Sequence, residues 1–333
     1  MTAISASAAK AVSKGDLMGD PSPSSAAPRE KNQSLPRRRR YATVDVFTDG
    51  MFSGNPLAVV LEAEGLSAEQ MQTIAREFNY VETTFVFPPR DGSHTAHVRI
   101  FTPDREVPFA GHPNIGTAFI LARRATDRGD PPLKNLVFEE AAGLVQIELI
   151  WENDSVVGAE LLSPEPLARR SEVSPALAAA CLGLTADDVS TERNLPQVVS
   201  AGLPSLVFEV KSRAALRRVL PDRQSFEKVF PLDGAQAIYV YTHDVGADTG
   251  CDVHARMFTR RMVEDPATGS AAAALTALLT EISGDSETHL RIRQGEDMGR
   301  PSLLLTRAQS HLGVTRTRVG GRCVAVFEGS FTL

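Results

Sequence analysis

From Tyr41 onward the chain alternates apolar and polar residues in short runs broken by glycine and proline, the pattern of strands that bury one face. YATVDVF (41–47) reads as a strand, GMFSGNP as a turn and LAVVLEA as a second strand. SAEQMQTIAREFN changes the period. Its apolar residues fall three and four apart behind Ser67, which predicts an N-capped amphipathic helix. VETTFVFPP and AHVRIFT return to period two, joined by a polar turn at Asp91-Gly92, and residues 135–150 read as a hairpin. The second half runs in the same order. Strands are expected near 197–200, 205–210, 236–241, 253–259 and 301–306, with a short helix near 213–219 and a longer one over 266–282. A final hairpin is expected to turn at Gly320-Gly321.

Two stretches share a frame. Residues 98–118 read VRIFTPDREVPFAGHPNIGTA and residues 255–272 read ARMFTRRMVEDPATGSAA. Each passes from Arg-apolar-Phe-Thr through a loop to X-Pro-x-x-Gly and a run of small residues, and X is His112 in the first and Asp265 in the second. GLPSLV (202–207) likewise stands where GNPLAV (54–59) stood. The repeat predicts an α+β fold of two similar lobes, 41–165 and 190–321, each a mixed β-sheet wrapped around a central apolar helix. Residues 322–333 form a terminal strand placed to pack back on the first lobe.

The frame also carries the candidate chemistry. Pro113 and Pro266 suit the first position of a helix, which would put His112 and Asp265 at the N-caps beside unsatisfied N–H groups. Two such helix ends facing each other would hold a carboxylate and stabilise an enolate-like charge, with His112 and Asp265 moving protons at the rim. Aspartate is an ordinary cap, so Asp265 alone reads as structural; its repeat-equivalent position argues otherwise. Ser270 lacks a GxSxG setting and reads as an anion contact or a packing residue. Glu82 alternates with Val81 and Thr83, and on an apolar strand its carboxyl would be desolvated and made more basic, although spacing alone reads as a rim charge.

Composition narrows the class. The 333 residues are 42% hydrophobic and 23% charged with a net charge of -6, values of a globular protein without a basic nucleic-acid footprint. Three cysteines without a CxxC pair favour a reducing, cytoplasmic setting. No apolar run spans a bilayer, so no membrane partner is expected. Residues 1–40 are rich in Ala, Ser, Pro and Arg and read as a disordered tail; an Arg- and Ser-rich targeting peptide is the alternative, opposed by Asp16, Asp20 and Glu30. His94 and His97, three apart on a strand, would point to opposite faces, so no metal site is expected there. Dinucleotide and P-loop motifs do not occur.

GNPLAV, VETTFVF, the two frames, FEEAAGLVQIEL and QGEDMGRPSL occur in order from residue 42 to the C-terminus. Together they resemble the phenazine-biosynthesis isomerase family, relatives of diaminopimelate epimerase. The resemblance implies the diaminopimelate-epimerase-like fold, a homodimer, and catalysis on a small-molecule carboxylate without metal or organic cofactor. It implies a substrate of the trans-2,3-dihydro-3-hydroxyanthranilate type, along whose ring a hydrogen is moved. By motif, Glu82 matches the general base, His112 and Asp265 the groups that assist proton movement, and Gly111, Gly269 and Ser270 the substrate-carboxylate site. Epimerase relatives carry a cysteine at each helix start. Neither frame holds one here, which excludes two-thiol racemisation. Val81 replaces a serine of the phenazine enzyme, so the pocket differs by one polar contact. A racemase, cyclase or lyase on the same scaffold, and a non-catalytic binding protein, stay open.

Overall fold

Period-two patterning produces strands throughout Arg38–Leu333, the compact unit formed by the described residues, 37–247 and 249–333, of this computed structural model. The first half runs β1 (Arg38–Val46), β2 (Asn55–Val60), α1 (Ala68–Phe78), β3 (Glu82–Phe87), β4 (Ala96–Phe101), β5 (Glu106–Val107) and α2 (Gly111–Asp127). β6 (Asn135–Glu140), β7 (Gly143–Glu152), β8 (Ser155–Leu162) and β9 (Ala168–Glu172) follow, then α3 (Pro175–Cys181) and β10 (Val189–Ser190). The second half runs β11 (Gln197–Ser200), β12 (Ser205–Val210), α4 (Arg213–Arg217), α5 (Arg223–Val229), β13 (Ala237–Thr242) and β14 (Val253–Thr259). It ends with β15 (Glu264–Asp265), α6 (Gly269–Ser283), β16 (Glu287–Gln294), β17 (Ser302–His311) and β18 (Val314–Thr332).

The pairings close a ring. β1 pairs with β2, β2 runs parallel to β3, β3 pairs with β4, and β4 runs parallel to β6. β6, β7, β8 and β18 continue antiparallel, and β18 returns to β1. The second half repeats the order of senses: β12 parallel to β13, β13 antiparallel to β14, β14 parallel to β16, then β17 and β18. α2 packs on β1, β2, β3, β7, β8 and β18, and α6 on β11, β12, β16, β17 and β18. Close packing requires small residues on these helices. A Cβ on Gly116 would come within 2.7 Å of Leu57 Cδ2 and 2.9 Å of Val46 Cγ2. Buried threonine pairs tie each helix to its sheet, Thr117 to Thr84 at 2.8 Å and Thr276 to Thr306 at 2.7 Å.

Ser67 caps α1 as expected, with Gln70 completing a capping box. Three expectations are corrected. The strand beginning the fold starts at Arg38, not Tyr41, because Arg38, Arg39 and Arg40 pair with Thr332, Phe331 and Ser330, and the buried Arg39 guanidinium donates to the carbonyls of Glu62 and Glu64. The rest of the expected tail, residues 1–36, lies outside the described residues. The last hairpin turns at Leu312-Gly313, and Gly320-Gly321 sit mid-strand, where β18 passes between β17 and β8. The glycines are there for close approach: a Cβ on Gly320 would lie 2.4 Å from Glu160 Cβ, and one on Gly321 2.8 Å from Phe47 Cδ1. The third correction concerns the helix starts and is taken up with the site.

Candidate active site

Four consecutive residues of the GNPLAV segment organise the site. Gly54 turns the chain with φ 65 where a Cβ would lie 2.3 Å from the Val46 carbonyl oxygen, and this delivers Asn55 to the start of β2. The buried Asn55 side chain donates to Asp265 Oδ1 at 2.9 Å and to the Ala267 carbonyl at 2.8 Å. The backbone of Pro56, which has only its carbonyl to offer, accepts from the His112 ring. Leu57 stands opposite Glu82 in the β2–β3 pairing. One turn therefore touches all three sequence-predicted proton-transfer residues.

Glu82 opens β3 with its side chain 15% exposed, and His112 on α2 is 7% exposed. His112 Nε2 lies 3.5 Å from Glu82 Oε2, and neither atom has a hydrogen-bond partner. Burial pushes the Glu82 carboxyl up to about 8, and the nearby Asp265 charge adds to the rise. Burial pushes the His112 imidazole down to about 3, against the opposing hydrogen bond to Pro56. At neutral pH both groups are therefore mainly uncharged. With one ring nitrogen donating to Pro56, Nε2 presents a lone pair towards Glu82. This arrangement suits a carboxyl that gives and takes one proton in a site screened from water.

Asp265 belongs to β15, where it pairs with Met257 of β14. Its Oδ1 accepts from Asn55 and its Oδ2 from the Thr268 hydroxyl. Burial raises it to about 6, while the Thr268 and Asn55 hydrogen bonds hold it down. The buried Gln294 amide, at the end of β16, donates to the Asp265 carbonyl at 2.8 Å and to Thr268 Oγ1 at 3.0 Å, and accepts from the Thr268 N–H. Asp265 is thus gripped by Asn55 on one side and by Thr268, itself held by Gln294, on the other.

The expected caps are corrected here. α2 begins at Gly111 with Ala110 as its N-cap, so His112 is the second helical residue, and α6 begins at Gly269 with Thr268 as its cap. Pro113 and Pro266 are therefore not first helical residues. Neither cap supplies a side-chain bond, and at α6 the reason is visible: the Thr268 hydroxyl is committed to Asp265. By element position, Glu106-Val107-Pro108-Phe109-Ala110-Gly111-His112 corresponds to Glu264-Asp265-Pro266-Ala267-Thr268-Gly269-Ser270. His112 corresponds to Ser270 and Asp265 to Val107, so the two ionisable residues do not occupy one place of the frame. Flanking contacts support this register. Arg99 pairs with Glu106 and lies over Phe101, as Arg256 pairs with Glu264 and lies over Phe258.

Gly111, Gly269 and Ser270 meet at a cavity of ≈ 20 Å³ between the two helix starts, with Phe109, Ser163 and Leu203 among the other lining residues. None of Glu82, His112 and Asp265 lines this cavity. A larger cavity of ≈ 580 Å³ lies near the other end of α2, lined by Arg40, Glu62, Arg124 and Arg128. Arg40 there pairs with Glu62 and Arg128 with Asp130, and the cavity lacks the desolvated acid–imidazole pair.

Sequence reasoning missed Asn55, Thr268, Gln294 and Tyr239. Tyr239 on β13 is fully buried with its hydroxyl unpartnered, and burial together with the Asp265 charge raises its pKa. Gln294 had one signal, the repeated polar residue at the end of an alternating run, ETHLRIRQ. His94 lies before β4 and meets Glu139 at 2.9 Å, whereas His97 meets Arg90 and stacks on Phe87. Val81 is exposed just before β3.

The comparisons with known proteins bear on this geometry. The profile of the family described as phenazine biosynthesis-like protein matches residues 44–329. The trans-2,3-dihydro-3-hydroxyanthranilate isomerase of Pseudomonas chlororaphis is 36% identical over 302 residues, covering 88% of this chain and 99% of that protein. The crystal structure of the Bacillus anthracis phenazine biosynthesis protein of the PhzF family aligns with a TM-score of 0.78 at 23% identity, over 89% of this chain and 100% of that one. A hydroxyproline epimerase from Agrobacterium vitis aligns with a TM-score of 0.56 at 14% identity, over 89% and 92%, and shares the fold. With a family profile spanning nearly all of the described residues, this chain belongs to the phenazine biosynthesis-like family, and it is an isomerase.

Proposed function

We propose that this isomerase moves a proton on a small cyclic or amino-acid-like carboxylate of the trans-2,3-dihydro-3-hydroxyanthranilate type, by general acid–base catalysis without metal or organic cofactor. Glu82 is the base that takes the proton and returns it at another carbon. His112 and Asp265 assist, and the N–H groups at Gly111, Gly269 and Ser270 receive the substrate carboxylate and the charge that develops beside it. The observation that carries this reading is the desolvated Glu82 carboxyl, raised to about 8 and facing an unpartnered imidazole nitrogen at 3.5 Å. Once ionised, such a group takes a proton from carbon readily and returns it to a carbanion at little cost.

The site lies between two halves, and we read them as two lobes, 41–165 and 190–321, built on one duplicated plan around α2 and α6, with 322–333 completing the first. The repeated strand senses and the Arg99–Glu106 and Arg256–Glu264 pairs support this. We further propose a cytoplasmic homodimer. No helix among the described residues is long and apolar enough to cross a membrane. Exposed Met51, Phe52 and Phe327 form an apolar surface that a second copy would cover.

The test is solvent exchange. In D₂O, the wild-type protein and Glu82→Gln are offered trans-2,3-dihydro-3-hydroxyanthranilate and a panel of cyclic and amino-acid carboxylates. Deuterium in an isomerised product, lost in Glu82→Gln, is the expected result. Inversion of a centre instead would make the protein a racemase, and activity of Glu82→Gln within a few-fold of wild type would remove Glu82 from the role.

A further inference from the structure

A second cluster of reactive side chains lies where β14 begins. Cys251 Sγ is 3.7 Å from His254 Nε2, and His254 Nδ1 is 3.0 Å from Glu296 Oε2. The order is thiol, imidazole, carboxylate, with each ring nitrogen facing one neighbour. Glu296 is held from both sides, by Arg293 at 2.9 Å and Arg213 at 3.4 Å, and Arg213 is in turn fixed by Asp297 at 2.7 Å. The negative charge fixed beside Nδ1 favours the tautomer that carries its proton there, which leaves the Nε2 lone pair facing the thiol. The Thr249 hydroxyl lies 3.3 Å from Sγ.

The other two thiols have no such setting. Cys181 and Cys323 are buried among apolar side chains, and burial raises both. Cys251 is half-buried, unlike the other two. The proton-transfer site at Glu82 makes no use of it.

We propose that Cys251 is a thiolation site, in which His254, oriented by Glu296, serves as the base and a low-molecular-weight disulfide is the reactant. The Cys251 thiol gives its proton to His254 Nε2. The thiolate attacks one sulfur of the disulfide, the protein–sulfur bond forms as the S–S bond breaks, and the departing thiolate recovers the proton from His254. One disulfide is consumed and one thiol released for each mixed disulfide formed, so no further oxidant enters. The location gives the modification something to act on. Asp252 donates its N–H to the Arg291 carbonyl at 2.8 Å, so a group added to Cys251 arrives beside β16, the strand that ends at Gln294.

The full chain is treated with glutathione disulfide, and the rate and number of added glutathionyl groups are followed by intact mass. One fast addition in wild type and none in Cys251→Ser are expected. His254→Gln should keep the stoichiometry at one and slow the addition at least about tenfold, a modest share of the ~10²–10⁴ that a positioned base supplies. Additions at Cys181 or Cys323 would report unfolding of that variant, and Glu296→Gln then takes its place with the same expected slowing. The proposal is overturned if wild-type Cys251 exchanges no faster than free cysteine under the same conditions. It is also overturned if the folded His254 or Glu296 variant exchanges at the wild-type rate.

Discussion

Asn55 and Asp265, 210 residues apart in sequence, are joined by a 2.9 Å hydrogen bond from the Asn55 amide to Asp265 Oδ1. The same amide reaches the Ala267 carbonyl, so one side chain of the first half fixes both the position and the charge of a carboxylate in the second. Replacing Asn55 with alanine should lower turnover by about 10–100-fold through misplacement of Asp265. Because the Asn55 bond holds the Asp265 pKa down, the variant should also shift the acidic limb of the pH–rate profile upward. A loss of rate with an unmoved acidic limb would mean that Asn55 acts only through the backbone at Ala267.

Glu82 sets the higher of the two breaks on the acidic limb of the profile. As the base it must be ionised, so kcat/KM should rise by about tenfold per pH unit until about 8 and then level. Stability should run the other way. The folded carboxyl keeps to about 8 a proton that the unfolded chain releases near 4.5, so stability falls as pH rises between those values. Glu82→Gln removes that loss and should melt higher than wild type at pH 8, with a smaller difference at pH 5. Equal melting differences at both pH values would argue against a raised Glu82 pKa.

The β8–β18 seam should tolerate no side chain at Gly158, where a Cβ would lie 2.1 Å from the Gly321 carbonyl oxygen. Gly158→Ala should destabilise by about 1–3 kcal/mol, as overpacking does, while Gly92→Ala, which meets nothing within 4 Å, serves as the neutral control. Thermal melts of the two variants decide it.

Arg38–Arg40 belong to the fold, which distinguishes two truncations. A chain beginning at Tyr41 loses the Arg39 bonds to the Glu62 and Glu64 carbonyls and should melt lower than one beginning at Arg38, by about 1.5–3 kcal/mol for bonds to a charged donor. Identical melts would make the first turns of β1 ornamental.

Much of this was legible in the chain because strands alternate and helices do not. Ser67, the β3–β4 pair and the β6–β7 hairpin announced themselves through periodicity and turn chemistry. The frame around His112 and Asp265 was legible too, but in the wrong register. Matching on X-Pro-x-x-Gly aligned the prolines most visible in the text, whereas the β5 and β15 pairings align Pro108 with Pro266. Arginines read as tail because nothing local shows that Arg39 finds carbonyls more than twenty residues away. Asn55, Thr268 and Gln294 were invisible for the same reason: their meaning lies in partners brought together by the sheet, and a polar residue beside a turn has an adequate local explanation.

The return of β18 to β1 has a consequence for how the molecule is made. Arg38 and Ser330, which touch in the finished ring, are separated by 292 residues. At about 5–20 residues per second the ribosome keeps them apart for on the order of tens of seconds. Throughout that interval β1 and β8 each present a bare edge, in a chain whose inner helix α2 already has apolar residues to hide. Closure by so distant a partner is slow for topological reasons, so the nascent first half is the aggregation-prone species, and it is the natural client for a chaperone. A circular permutant that places β18 ahead of β1 would shorten the wait to the length of one hairpin.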